Sequence, residues 1–272
     1  MKTKSRRRVR VALSIAAVIL LLAVGAAAFL LTEPAGVRYE ADIPILMYHH
    51  LIPESAATGE FDGMTVTAER LEADLLWLRE NGYETVLPRE LAAGEPLPEK
   101  PVMITFDDGY RSNYELLFPL LQKYQMKAAI AVIVKNQDNN SANHLSWDMC
   151  REMTESGLVE IGSHTYDLHQ TLDEHTRGVG RKTGEKRPGY WLRVLPDLLK
   201  SYSRIRKETG AAPTMFAYPY GATEATLLTP LHRLFRVTLT TQTGTASLRG
   251  GLYELSRYAV RMDITPAQIL AP

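Results

Sequence analysis

Residues 101–110 read PVMITFDDGY. The first six are apolar apart from Thr105, the composition of a strand buried on both faces, and such strands belong to parallel sheets covered by helices. The run then stops on two aspartates and a glycine. Carboxylates at the end of a buried strand are costly unless a cation or hydrogen-bond donors receive them. The C-terminal edge of a parallel sheet is also where α/β folds build their active sites.

Working outward from that stretch, the same pattern recurs. Residues 43–48, 127–134, 158–161, 215–218 and 237–240 are further short apolar runs. Between them lie helical patterns: 67–80 with Thr67 as cap, 116–124, 146–157 with Ser146 as cap, and 197–209 stopped by Gly210. Strands alternating with helices imply an α/β fold, and about seven such units suggest a barrel-like closure. Residues 170–193 break the alternation with a polar segment carrying Arg177, Arg181, Lys182, Lys186, Arg187 and Arg193, expected as a surface loop beside a substrate groove.

The chain has 272 residues, with 31 basic and 31 acidic side chains. Six of the basic ones fall in residues 1–10, which leaves 25 basic against 31 acidic residues elsewhere. A mildly acidic body argues against a nucleic-acid partner. A single cysteine, Cys150, excludes an intramolecular disulfide and a cysteine-based zinc cluster. Residues 11–31 are apolar without interruption by charge, long enough to span about 30 Å of hydrocarbon. With the basic tail before them they read as a transmembrane signal anchor that sends the rest of the chain outward, a cleaved signal peptide being the alternative. Residues 32–42 read as a linker and 43–272 as the exported domain.

Three polar clusters end predicted strands: TFDDGY at 105–110, SHTYDLH at 163–169 and FAYPYG at 216–221. One carboxylate and two imidazoles would form a facial set for a divalent first-row ion, with positions left for water and substrate. Taken together, these motifs resemble the polysaccharide deacetylases (carbohydrate esterase family four, the NodB-homology domain). The resemblance covers residues 43–262 and includes MTVTAERLEADLLWLRENGYETV at 64–86, similar to relatives acting on poly-N-acetylglucosamine.

The resemblance implies a distorted (β/α)7 barrel, and one divalent metal ion, expected as Zn2+, that helps remove N-acetyl groups from sugars. It implies Asp107 as catalytic base, Asp108, His164 and His169 as metal ligands, and the Tyr220 backbone N–H as an oxyanion donor. Tyr48, Tyr166, Tyr218, Pro219 and Gly221 are expected at the substrate face, with Asp167 orienting an imidazole. Two features depart from the family. The arginine that pairs with the base is absent near Ala217, where Arg257 is the candidate substitute. The late histidine acting as general acid is absent too, and in permuted branches that residue comes from the first strand, which selects His49. Only one of His49 and His50 can face a barrel centre, because side chains alternate along a strand. The expected partner is an acetylated polysaccharide, peptidoglycan or poly-N-acetylglucosamine. An O-acetyl glycan esterase and an inactive glycan-binding module are the alternatives.

Overall fold

The computed structural model describes residues 36–58, 63–173 and 176–271. Its centre is a curled parallel sheet of seven main strands: β1 (Ile45–Tyr48), β2 (Pro101–Phe106), β3 (Ala128–Val132), β4 (Val159–Ser163), β5 (Met215–Ala217), β6 (Val237–Leu239) and β7 (Tyr258–Ala259). Their spatial order is β6-β5-β4-β3-β2-β1-β7, every pairing parallel, and Glu84–Thr85 adds a short parallel strand beside the start of β2. The segment between Leu252 and Ala259 stitches the two edges together. Leu255 bridges Leu239 on β6, and Tyr258 pairs with Leu46 on β1.

Alternation along the strands sorts side chains into an inner and an outer set. Ile45, Met103, Ala129, Ala131, Met215, Ala217, Val237 and Leu239 form the inner core. Leu46, Tyr48, Ile104, Phe106, Ile130 and Val132 face outward and pack with Leu71, Leu75 and Leu78 of α1 (Ala68–Glu80). Phe216 and Tyr218 face outward into a second layer with Tyr190, Val194 and Leu198. By the same parity His49, Asp107 and His164 continue the inner rows of β1, β2 and β4 past their C-terminal ends. Gly162 on β4 is required by packing: a Cβ there would lie 2.7 Å from the Met215 methyl carbon and 2.9 Å from the Met215 carbonyl oxygen.

The helices are α1, α2 (Phe118–Tyr124), α3 (Trp147–Glu155), α4 (Arg187–Thr209) and α5 (Leu228–Leu234), with shorter turns between. Thr67 and Ser146 cap α1 and α3 by accepting backbone N–H groups of Arg70 (3.1 Å) and Met149 (3.3 Å). Helix α4 begins ten residues before the expected Asp197, because Pro188 sits in its first turn, where a missing N–H costs nothing, and Pro196 is carried inside it. The last seven residues of the polar segment, 187–193, are therefore helix. Its remaining loop is anchored by Val179 and Tyr190, both fully buried, with the Tyr190 hydroxyl donating to the Val179 carbonyl.

Among the described residues no helix is long and apolar enough to cross a membrane. The expected basic tail and anchor, residues 1–31, lie outside the described residues. Residues 36–42, read as linker, are docked: Asp42–Ile43 pairs antiparallel with Ala246–Ser247, and the Tyr39 hydroxyl donates to the Leu91 carbonyl.

Candidate active site

Asp107 leaves the end of β2 fully inside the protein, and its charge is met by Arg257. The guanidinium donates to both carboxylate oxygens, Nη1 at 2.9 Å and Nη2 at 2.7 Å, and Nε donates to the Thr240 carbonyl at 2.7 Å. Arg257 is entirely buried. Burial alone would raise the Asp107 carboxyl, but Arg257 and the nearby His164 outweigh it and hold Asp107 well below the usual carboxylate range.

Asp108 and Gly109 then both take left-handed backbone angles, φ 70° each, which swings the second carboxylate away from the first. Gly109 is obligatory in this turn, since a Cβ would meet the Val132 side chain at 2.7 Å. Thr165, after His164, and Tyr220, after Pro219, are also left-handed, at φ 75° and 58°. Strained backbone of this kind clusters at active sites, and three of the six such non-glycine residues among those described, Asp108, Thr165 and Tyr220, are here.

Asp108, His164 and His169 offer ligand atoms that all lie within 4.8 Å of one another. The His164 Nδ1–H donates to the Ala217 carbonyl at 2.8 Å, so its Nε2 lone pair faces Asp108 Oδ1 at 3.6 Å, and His169 Nε2 faces the same oxygen at 3.4 Å. Asp108 Oδ1 is buried and has no hydrogen-bond partner. Burial, with the neighbouring Asp107 charge, pushes the Asp108 carboxyl up to about 6, and burial pushes His164 down to about 3. An orphaned oxygen facing neutral imidazoles is a donor set that a divalent cation fits.

His49 lies at the end of β1, buried, where the charges of Asp107, Asp108, Arg257 and His169 all act on it. Burial lowers its pKa, while the two carboxylates pull the other way. Asn113 Nδ2 donates to the His49 carbonyl at 3.0 Å and fixes the backbone there. His50 points elsewhere, its ring against Tyr110 at 4.8 Å. The Tyr220 hydroxyl is 3.3 Å from His169 Nδ1, and Arg177 covers the Tyr220 ring at 5.6 Å.

A polysaccharide deacetylase family model matches residues 94–234. The chain is 34% identical over 225 residues to Bacillus subtilis (strain 168) YxkH, a protein named for the same family, covering 81% of this chain and 72% of YxkH. The chain belongs to the polysaccharide deacetylase family. As a member it is a hydrolase, a carbohydrate deacetylase. It is also 29% identical over 214 residues to the poly-beta-1,6-N-acetyl-D-glucosamine N-deacetylase of Escherichia coli (strain K12), matching 68% of this chain and only 32% of that longer protein. Two solved structures share the fold. The Streptococcus pyogenes deacetylase PplD in complex with acetate superposes with a TM-score of 0.70 at 26% identity, covering 85% of this chain and 97% of that one. A de-N-acetylase from Aggregatibacter actinomycetemcomitans gives 0.73 at 26% identity, with 84% and 98% covered.

Several side chains expected at the deacetylase's substrate face point away from it. Tyr48 lies on the outer row of β1, stacked on Phe106 and hydrogen-bonded through its hydroxyl to Asp74 at 3.1 Å. Tyr218 is fully buried in the outer layer, edge-on to Phe216. The Tyr166 ring carries Lys200 Nζ at 3.5 Å and faces the α4 side. Asp167 orients no imidazole: it pairs with Lys135 at 2.6 Å. Pro219 is buried and packs against Gly178 of the loop before α4, where a Cβ would lie 2.8 Å from the Pro219 carbonyl. Gly221 is left-handed (φ 68°), and a Cβ there would overlap Thr241 Oγ1. Only Tyr220, half-exposed beside His169, is open to a substrate among these residues.

Sequence reasoning missed Asp197. Its carboxylate, near the middle of α4, accepts the backbone N–H groups of Tyr166 and Asp167, both at 2.8 Å, and so holds the loop between the two histidines. The available signal was an aspartate among the apolar residues Leu195, Leu198 and Leu199.

Proposed function

We propose that this deacetylase removes N-acetyl groups from N-acetylglucosamine units of an extracytoplasmic polysaccharide, peptidoglycan or poly-N-acetylglucosamine. The observation that carries the reading is the division of labour between two adjacent aspartates. Asp107 is locked as a carboxylate by Arg257, while Asp108 Oδ1 is left facing two imidazole lone pairs.

Asp108, His164 and His169 would hold one divalent ion, with Zn2+ the best fit to a one-carboxylate, two-imidazole set. Such an ion supplies Lewis acidity, polarising the acetyl carbonyl and making water acidic near neutral pH. Asp107, already ionised and held at both oxygens, accepts the proton of the attacking water, a contribution of about 10²–10⁴-fold for a positioned base. The Tyr220 backbone N–H, aimed by its left-handed conformation, stabilises the oxyanion. His49 gives a proton to the departing glucosamine nitrogen, which cannot leave as an anion. The apolar residues 11–31 behind a basic tail support a single-pass membrane anchor with the catalytic domain outside, or export followed by cleavage.

The experiment is mass spectrometry of residues 32–272 incubated with Zn2+ and a panel of N-acetylated and O-acetylated oligosaccharides. Loss of acetyl from the N-acetylated members supports the reading. Loss from O-acetylated members alone would make the protein an esterase, and loss from none would make it a binding module.

A further inference from the structure

His49 lies where the chain changes partners. Tyr48, the last residue of β1, still pairs with Phe106, and its carbonyl accepts the Asp107 N–H at 3.0 Å. His50 already begins a separate short ladder, His50–Ile52 beside Thr65–Thr67, and its N–H donates to the Met64 carbonyl at 3.2 Å. His49 continues the inner row of β1, yet it belongs to neither strand. At such a break the direction of a side chain needs a hold other than the ladder itself.

Two consecutive buried side chains supply that hold. Ser112 Oγ accepts the Leu51 N–H at 3.1 Å, and Asn113 Nδ2 donates to the His49 carbonyl at 3.0 Å. Asn113 is fully buried. Its own backbone is tied at both ends: its N–H donates to the Tyr110 carbonyl at 3.0 Å, and its carbonyl accepts the Phe118 N–H. The second of these bonds closes the wide turn Asn113–Leu117, and turns bonded from i to i+5 are rare and recur at functional sites.

The same stretch of chain therefore presents Asp107, Asp108 and, six residues after Asp107, the amide that grips His49. The carboxylates and the imidazole are set against each other by one short segment. The His49 ring held this way comes under the charges of Asp107 and Asp108.

We propose that Asn113 is a positioning residue for the proton donor: its amide fixes the His49 peptide at the break between two ladders and so aims the imidazole at the departing nitrogen. This rests on the N-deacetylase reading, in which His49 is the acid. Asn113 touches no reacting atom, so its contribution to turnover passes entirely through His49.

The test uses the full chain loaded with Zn2+ and compares the wild type, Asn113→Leu, His49→Ala and the double variant. Leu has nearly the volume of Asn and no donor. On an N-acetylated oligomer, Asn113→Leu should lower kcat about 10- to 100-fold, the scale of a misplacement of about 1 Å. KM should stay within about twofold and bound metal should be unchanged. On an activated aryl acetate, whose leaving group needs no proton, the loss should be under about threefold. In the His49→Ala background, Asn113→Leu should cost nothing more on the oligomer, because residues acting through one group are not additive. Asn113→Ala, which brings in no larger group, carries the same readings if Asn113→Leu does not unfold cooperatively in urea. Equal losses on the two substrates, or an additive loss in the double variant, would overturn the positioning role and leave Asn113 as packing. A leaving-group-dependent loss in His49→Ala with none in Asn113→Leu would overturn it too, while the acid kept its place. No acetate released by the wild type from any N-acetylated oligomer would overturn the deacetylase reading and the positioning role with it.

Discussion

Arg257 and Asp107 stand 150 residues apart in the chain and meet as a two-pronged ion pair, fully buried, at 2.9 and 2.7 Å. Arg257 arrives on the segment that joins β6 to β1, so the residue that fixes the Asp107 carboxylate also sits where the curled sheet meets itself. Thr105 Oγ1, one turn of the pleat below Asp107, accepts a further bond from Arg257 at 3.2 Å. The placement of the Asp107 carboxylate and the closure of the sheet thus depend on the same guanidinium.

Removing Arg257 should therefore damage stability as well as turnover. Arg257→Ala strands a buried carboxylate, and breaking such a pair from one side costs about 3–5 kcal/mol. Arg257→Lys keeps a charge but loses the fork, so it should fold and still lose much of kcat/KM. Urea unfolding and steady-state kinetics on both variants separate the two effects.

The two aspartates should respond differently to neutralisation. Asp108→Asn, His164→Ala and His169→Ala should each bind far less metal, read by elemental analysis after dialysis. Asn tolerates the left-handed angle at 108, so loss there reports the ligand and not the turn. Asp107→Asn should keep its metal and lose about 10²–10⁴-fold in activity. Loss of the ion from Asp107→Asn would mean that the roles are exchanged.

Glu160, on the inner row of β4 below the site, supplies a pH-dependent term of its own. Burial pushes its carboxyl up to about 7, against the Arg89 N–H that donates to it at 2.8 Å. The folded state therefore binds this proton more tightly than the unfolded chain, whose glutamate titrates near 4.3. Its contribution to stability is intact below about pH 4.3 and declines as pH rises towards about 7. Glu160→Gln should flatten the fall in unfolding free energy across that window. An unchanged slope in urea titrations from pH 4 to 8 would show that the carboxyl titrates normally.

Strand parity explains much of what could and could not be read from the chain. The apolar runs located six of the seven main strands, and β2 has the expected bounds, because burial on both faces leaves a continuous hydrophobic signature. That same signature is silent about which face is inner, so the sequence pattern places Tyr48 and Tyr218 at a substrate face they do not reach. Prolines at 188 and 196 hid the first ten residues of α4, since a proline in a first turn and one carried inside a long helix look like boundaries from sequence alone. The strand β7 is two residues long and carries no pattern to find. Asp107, Asp108, His164 and His169 converge because strand ends converge, whereas the contacts of Tyr166 with Lys200 and of the 166–167 backbone with Asp197 depend on how α4 docks.

The outward placement of Tyr48 makes a simple test. Tyr48→Phe deletes only the hydroxyl bonded to Asp74, which Arg70 also holds at 2.7 Å. The protein should lose about 1 kcal/mol of stability and keep its turnover on an N-acetylated oligomer. A large fall in kcat with unchanged unfolding would return Tyr48 to the substrate face.

His49 is the sharpest case. In the proposed reaction a proton must reach the departing amine, and among the described histidines His164 and His169 lie in the cluster that could hold a metal ion. His50 packs on Tyr110, His144 continues that stack at 5.4 Å, and His232 lies flat on Tyr253 at 3.5 Å. His49 alone remains, on the inner row of β1, with Asp107 and Asp108 both raising its proton affinity against burial. If it is the acid, His49→Ala should keep its metal and its fold and lose most turnover on N-acetylated oligomers. The defect should shrink on an activated aryl acetate, whose leaving group needs no proton. His50→Ala should show the milder loss on the oligomers. Equal defects on both substrates, or the larger loss in His50→Ala, would take His49 out of the mechanism and leave the proton to solvent.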